Sequence, residues 1–302
     1  QRVAVTTADA VVRVYDLTTG ALEWEVDGGA AAFDSTGETM VVAQASSLVI
    51  YEFATAEETY IAIAPVTGHR RLALSPDGRL AYLGVETSGA EAIRVVDLFA
   101  EAQLREVEVP DASRFAVTAT GAVLIGDGPL VRLYRSGLDG HLRNHYVGSS
   151  AAGLVASPVD GDRFVVAVDD RLRVVDGGRT RLEVQLAHTV ETLHVAADGI
   201  LAAVAGDGML STVDLLDGTV YPVTITRPIE RLATLADGRS LVALHGSDIH
   251  TVHGLRVGQR EHYVPGRVLV RDSKDPSGPV LTFAPVASHA AACARSGGTI
   301  AH

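Results

Sequence analysis

The sequence is poor in cysteine and in lysine. Cys293 is the single cysteine of the 302 residues, which excludes an intrachain disulfide and any metal site built from several cysteines. One thiol is compatible with an oxidising or a reducing compartment, so it does not indicate where the protein resides. Lys274 is the only lysine, and all other basic residues apart from histidine are arginines.

Long apolar runs are also missing. No segment approaches the roughly 18 uninterrupted apolar residues that a membrane-spanning helix requires, and no signal peptide is predicted at the start of the chain. Hydrophobic residues still make up 47% of the sequence, which is enough for the core of one domain over residues 1–302. The formal net charge is −12. An acidic surface repels nucleic acid and anionic membranes, so we expect neither as a partner.

A short turn ending in glycine recurs along the chain at intervals of about 40 residues, which indicates an internal repeat. The turn glycines are Gly37, Gly78, Gly121, Gly161, Gly199, Gly238 and Gly278. A second marker keeps the same phase: an apolar strand that ends in a polar residue, as in the Val-Val-Asp-Leu of residues 95–98. Because the two markers recur in phase with each other, the repeat is not a chance pattern.

Each repeat contains four short apolar runs. In the third unit they cover residues 72–74, 80–85, 93–96 and 104–109, and turn residues separate them. Runs of this length with alternating character are typical of β-strands. Four-stranded units of this size without helices predict an all-β fold, a seven-bladed β-propeller of four-stranded antiparallel blades, with eight blades as the alternative.

The first segment, residues 1–27, contains only three of these runs. The missing innermost strand of the first blade is predicted to come from the C-terminal part of the chain, at Arg267–Arg271, which would close the ring. Residues 279–302 are left over in this count. They are either an extra edge strand or part of an eighth blade.

Two of the turns carry a family resemblance. The Leu-Ser-Pro-Asp-Gly of residues 74–78 and the Tyr-Asp-Leu-Thr-Thr-Gly of residues 15–20 resemble the turns of YVTN and lactonase-like propellers, and the propeller subunits of amine dehydrogenases are similar as well. The WD40 family is less similar, because its Gly-His and Trp-Asp signatures are absent. The resemblance covers the repeat framework and implies the fold. Its members include enzymes, cofactor handlers and surface proteins, so it does not imply one activity.

Motifs for common cofactors are absent from the sequence. No nucleophile elbow, phosphate loop, HExxH or EF-hand loop is present, so we predict no cofactor. Four histidines, His245, His250, His253 and His262, cluster in the seventh unit. Because His250 and His253 are three residues apart, a strand places them on opposite faces, and the cluster is interpreted as surface or half-buried histidines and not as a metal site.

The candidate site comes from aligning the repeats on their turn glycines. Seven residues before the glycine, four repeats have an arginine: Arg71, Arg114, Arg231 and Arg271. Glu191 and Glu230 hold the preceding position in two repeats, and His194 lies in an inner strand where other repeats have alanine. This position places the arginines around one mouth of the central channel of the propeller. The pattern therefore predicts a clamp that binds carboxylate or phosphate. The alternative is that they form ion pairs with Glu191, Glu230 and other acids of the rim.

Short loops and the lack of a catalytic constellation favour a non-catalytic binding propeller, which presents its loop face and channel mouth to a protein partner or a small anionic ligand. The alternative is an enzyme of lactonase, lyase or cyclase type that acts on a small anionic substrate at the channel mouth. A third possibility is the propeller subunit of a larger redox complex. Acid, base and cationic groups clustered at one mouth would favour the enzyme.

Overall fold

The computed structural model describes residues 2–7, 9–17, 19–149, 153–156, 161, 163–196, 199–223, 229, 231–234, 240–245, 248–253, 268–269 and 280–283. These residues form seven four-stranded antiparallel sheets, here called blades, and one turn of 3-10 helix at Ser136–Leu138. The described part of the chain is therefore all-β.

The blades follow the chain order. Blade 1 consists of β1 (Arg2–Thr6), β2 (Val11–Asp16), β3 (Leu22–Asp27) and β28 (Val280–Phe283). Blade 2 consists of β4 (Ala30–Phe33), β5 (Thr39–Ala43), β6 (Ser47–Glu52) and β7 (Glu57–Ala62). Blade 3 consists of β8 (Gly68–Leu74), β9 (Leu80–Thr87), β10 (Ala90–Asp97) and β11 (Ala102–Val109). Blade 4 consists of β12 (Phe115–Val117), β13 (Val123–Asp127), β14 (Leu130–Tyr134) and β15 (His141–Tyr146).

The remaining blades repeat the plan. Blade 5 consists of β16 (Gly153–Ala156), β17 (Phe164–Val168), β18 (Arg171–Asp176) and β19 (Arg179–Gln185). Blade 6 consists of β20 (Thr192–Val195), β21 (Leu201–Gly206), β22 (Met209–Asp214) and β23 (Val220–Val223). Blade 7 consists of β24 (Arg231–Thr234), β25 (Ser240–His245), β26 (Asp248–His253) and β27 (Val268–Leu269).

The recurring glycine turn joins the first two strands of a blade. In blade 3 the Ser75 hydroxyl donates to the Asp77 carboxylate at 2.5 Å and accepts from the backbone N–H of Leu80 at 2.8 Å. Gly78 has a φ of 70°, a backbone conformation that glycine adopts without the strain a side chain causes. The sequence marker is thus the chemistry of a tight hairpin turn.

The cores lie between blades and not within them. The cluster between blades 2 and 3 includes Val41, Leu48, Leu83 and Val96, all at most 1% exposed. Corresponding apolar clusters join blades 1 and 2, 3 and 4, 4 and 5, and 5 and 6. Blades 1 to 6 are therefore stabilised by apolar surface that neighbouring blades bury.

The first strands of neighbouring blades contact one another around a common space, here called the channel. The contacting pairs are β4–β8, β8–β12, β12–β16, β16–β20, β20–β24, β24–β28 and β28–β4. This arrangement of radially repeated four-stranded sheets is a propeller fold. Side chains on the first strands are the ones placed to reach the channel.

The sequence-based prediction of a seven-bladed ring completed through Arg267–Arg271 is wrong. Within that segment Val268–Leu269 form β27, which pairs with Asp248 and Ile249 as the fourth strand of blade 7. The strand that pairs with the inner edge of β1 is β28 (Val280–Phe283), in which Thr282 lies opposite Ala4. Both segments have the local pattern of a strand, and that pattern does not specify a partner almost a full chain length away. Among the described residues no sheet corresponds to an eighth blade.

In the part of the chain that the structure describes, no helix is long and apolar enough to cross a membrane.

Candidate functional site

Arg71 is one of the four arginines of the predicted clamp, and it lies in blade 3. It lies on β8 opposite Gly84, next to an irregularity in the pairing of β8 with β9. Its guanidinium carbon is 5.5 Å from the centroid of the Phe115 ring, which belongs to β12 of the next blade. Removal from water lowers the pKa of the Arg71 guanidinium. Among the residues that the structure describes, no carboxylate forms an ion pair with Arg71.

His194 is near enough to Arg71 for the two to interact electrostatically, although they lie on strands of different blades. His194 is on β20 of blade 6, opposite Ala203, whereas Arg71 is in blade 3. The pKa of the imidazole is lowered to about 4, chiefly by burial and also by the positive charge of Arg71, while a hydrogen bond with the backbone of Val195 acts in the opposite direction. The charge of Arg71 on β8 affects the pKa of His194 on β20 because both of these first strands border the channel.

Arg114 and Glu191 are placed differently from Arg71. Arg114 immediately precedes β12, and its Nε lies 2.7 Å from the carboxylate of Asp111. This ion pair is of the kind that the alternative interpretation of the arginines predicts. Glu191 immediately precedes β20; its side chain is exposed and its backbone N–H donates to the carbonyl of Ala205 at 2.9 Å.

Three of the candidate residues have no described side chain. Arg231 is the first residue of β24 and pairs with Leu244, so it holds the predicted place on a first strand. Glu230 and Arg271 lie outside the described residues. The clamp of Arg71, Arg114, Arg231 and Arg271, together with His194, Glu191 and Glu230, therefore stays a prediction, of which the structure brings Arg71 and His194 together.

The clustered histidines fall on two strands of blade 7. His245 ends β25, while His250 and His253 are on β26, opposite Ala243 and Ser240 respectively. His262 lies outside the described residues, as does Cys293. No group of three or more histidine, cysteine, aspartate or glutamate residues within the described ranges is arranged to hold a metal ion.

The two described side chains at the channel, those of Arg71 and His194, are chemically suited to contact an anion. Arg71 provides a permanently charged planar donor, and partial removal from water strengthens its interaction with an opposite charge. With its pKa near 4, His194 is neutral at pH 7, and its imidazole is hydrogen-bonded to the backbone of Val195. The ring of Phe115, which is buried in the core between blades 3 and 4, packs beneath the guanidinium.

Two partners of the candidate arginines were not identified from the sequence. Phe115 lies beneath Arg71, and Asp111 pairs with Arg114. Asp111 is three residues before Arg114, so its proximity in the chain was a usable signal. Phe115 comes from the next blade, and no local pattern links it to Arg71.

Comparison with known proteins identifies the fold and no family. No protein-family model matches the sequence, and no curated protein matches it either. The structure is similar to that of hydrazine synthase from Kuenenia stuttgartiensis, with a TM-score of 0.61 and 15% sequence identity over 75% of this chain and 76% of that chain. It is also similar to a functionally unknown protein from Desulfotomaculum acetoxidans DSM 771, with a TM-score of 0.70 and 14% identity over 94% of this chain and 100% of that chain. At these identities the similarity is one of fold, the β-propeller.

Proposed function

We propose that this chain is a non-catalytic binding propeller that holds an anionic group, of a small ligand or of a protein partner, in its channel. The observation that carries the proposal is Arg71, a partly desolvated guanidinium with no carboxylate partner among the described residues. An isolated charge in such a place is costly unless a counter-charge neutralises it. A bound anion would supply that counter-charge.

The neighbouring groups support a singly charged ligand. Because its pKa is about 4, His194 adds no second positive charge at pH 7, so the pair Arg71 and His194 presents one positive charge. A carboxylate accepts two parallel hydrogen bonds from a guanidinium. The Phe115 ring is fully buried against the guanidinium, so it positions Arg71 and leaves the charged group to contact the ligand.

We also propose that the chain is related to the YVTN and lactonase-like propellers. The support for this is the pair of turn motifs at residues 15–20 and 74–78, together with the propeller fold. The relationship leaves the ligand open, since propellers of one architecture serve many functions.

The test compares two adjacent arginines. Arg71→Gln removes the proposed anion partner, and Arg70→Gln removes the same charge one residue away, where Arg70 pairs with Glu86 at 2.5 Å on the surface. Acetate, benzoate and phosphate are added at constant ionic strength, and the melting temperature is measured. We expect the carboxylates to raise it by a few degrees in the wild type and in Arg70→Gln, and to leave Arg71→Gln unchanged.

Two results would contradict the proposal. One is that none of the anions stabilises the wild type. The other is that Arg71→Gln responds as strongly as Arg70→Gln does. Without ligand, Arg71→Gln is expected to melt at the same temperature as the wild type or above it, because it removes an uncompensated charge. A large drop would show that Arg71 is structural.

A further inference from the structure

A second place for an acidic partner lies outside the channel, in the cleft between the outer strands of blades 4 and 5. On β15, Arg143 and His145 face blade 5: the Nδ1 of His145 lies 3.1 Å from the carbonyl oxygen of Gly178, in the turn between β18 and β19. The same imidazole meets the ring of Phe164 edge to face, with 5.8 Å between the ring centroids. The two blades therefore define a cleft whose walls are β15 and the β18–β19 hairpin.

The floor of this cleft is a small hollow. It is lined by apolar side chains of both blades and by Arg143, His145 and Gly178; the apolar lining residues are Leu124, Val131, Leu133 and Phe164. The Nε2 of His145 is buried and has no hydrogen-bond partner among the described residues. Burial lowers the pKa of His145, and the charge of Arg173 lowers it further.

The rim of the cleft is positively charged. On β18, Arg171 and Arg173 share one acid, Glu183, at 3.0 Å and 2.7 Å. On β19, Arg181 and Glu183 alternate with Leu182 and Val184, which pack towards blade 6, so the two charged residues are on the cleft side. Arg181 is 63% exposed and lies 3.5 Å from Asp176. Among the described residues, the rim carries these three arginines and the two acids Glu183 and Asp176, in a protein of net charge −12.

The cleft also has unpaired backbone along both walls. β15 and β19 are the outermost strands of their sheets, and each pairs with only one neighbour among the described strands. Edge strands offer N–H and C=O groups to an extended chain. Local positive charge, an apolar floor and free strand edges are the features that suit an extended acidic segment.

We propose that the cleft between blades 4 and 5 binds an extended acidic peptide segment of a partner protein, with carboxylates on Arg171 and Arg181 and a small side chain over the hollow. Nucleic acid suits the site less, because the rest of the acidic surface repels a long polyanion and the floor is apolar. This site does not depend on Arg71 or on the channel, so either proposal stands if the other fails.

The test uses a fluorescein-labelled peptide of alternating glutamate and valine, about eight residues long, with fluorescence anisotropy as the readout. Arg171→Gln with Arg181→Gln removes two exposed charges of the rim. The control, Arg13→Gln with Arg105→Gln, removes two charges elsewhere, where Arg13 pairs with Glu25 at 2.6 Å and Arg105 with Asp139 at 3.0 Å. Both variants have the same net charge, so a difference between them reports on position.

We expect the rim variant to bind the peptide about fivefold to tenfold more weakly than the wild type at low salt, and the control to bind within about twofold of it. Wild-type affinity should fall as salt rises. His145→Phe, which fills the hollow, should weaken the glutamate–valine peptide more than a glutamate–glycine peptide.

Several results would overturn the assignment. They are no binding to the wild type at low salt, equal loss in the rim variant and the control, or an oligothymidylate of the same charge that binds as well as the peptide does. An unchanged melting transition in both double variants confirms that differences in binding do not come from unfolding.

Discussion

Four outer hairpin turns place one residue each in the left-handed backbone region, and the residues there differ. Gly20 and Gly218 have φ values of 72° and 81°, whereas Ala56 and Glu101 hold 57° and 51°. The backbone N–H of Gly20 donates to the carbonyl of Asp16 at 2.8 Å, and that of Ala56 donates to Glu52 at the same distance. The geometry is therefore shared, and only glycine adopts it without strain.

Reciprocal substitutions should change stability in opposite directions. Ala56→Gly relieves the strain and is expected to raise the free energy of unfolding by about 0.5 kcal/mol, since the added flexibility of the unfolded chain offsets part of the gain. Gly20→Ala should lower it by about 1 kcal/mol. Urea unfolding of the two variants checks this, and a loss of stability in Ala56→Gly would contradict the strain argument.

His194 makes stability depend on pH. Its pKa is lowered from 6.5 to about 4 in the folded protein, so between these pH values the unfolded chain binds a proton that the folded chain does not. Stability therefore falls as pH is lowered through this window, by at most about 3 kcal/mol from this group. His69 and His145, whose pKa values burial also lowers, act in the same direction.

A substitution isolates this contribution. His194→Gln should flatten the dependence of the melting temperature on pH between 6.5 and 4. His141→Gln, at an exposed histidine bonded to Asn144 at 2.7 Å, should leave the wild-type profile intact. Parallel profiles for the wild type and His194→Gln would mean that this imidazole is accessible to protons in the folded state.

At the scale of elements, blade 1 depends on a strand from the far part of the chain. β28 pairs with β1 over four residues, from Val3 opposite Phe283 to Thr6 opposite Val280. Without β28, the inner edge of β1 would expose its backbone donors and acceptors in a buried position, which is costly.

Two truncations test the contribution of β28. A chain ending at Phe283 retains the strand, and a chain ending at Leu269 lacks it. We expect the longer form to unfold in one cooperative transition and the shorter form to aggregate or melt at a clearly lower temperature. Identical melting curves for the two forms would show that β28 contributes nothing to stability.

Local signals account for what the sequence predicted at this scale. The Ser-Pro-Asp-Gly turn and its counterparts are complete within five residues, so they identified the hairpins of each blade. No local signature distinguishes β28, the inner neighbour of β1, from the segment containing Val268–Leu269, so the prediction for this strand was wrong. Pairing between distant strands is decided by the whole set of blades.

For the molecule as a whole, the predicted site depends on the repeat in the same way as the predicted fold does. Repeat alignment selected Arg71 and His194, because the channel-facing places recur in each blade. It did not show that Arg71 rests on Phe115, or that the cleft of Arg143 and His145 exists. Both features arise between blades, where one repeat meets another, and a pattern within a repeat contains no information about that contact.

The strand pairing of blade 1 also sets an order of events during synthesis. β1, β2 and β3 are the first of the described strands to leave the ribosome. The inner neighbour of β1, β28, is the last of the described strands to be synthesised. At the usual rate of translation, the inner edge of β1 remains unpaired for on the order of tens of seconds while the other blades are synthesised. A nascent chain halted before β28 would present that edge to chaperones, and release of the full-length chain would hide it.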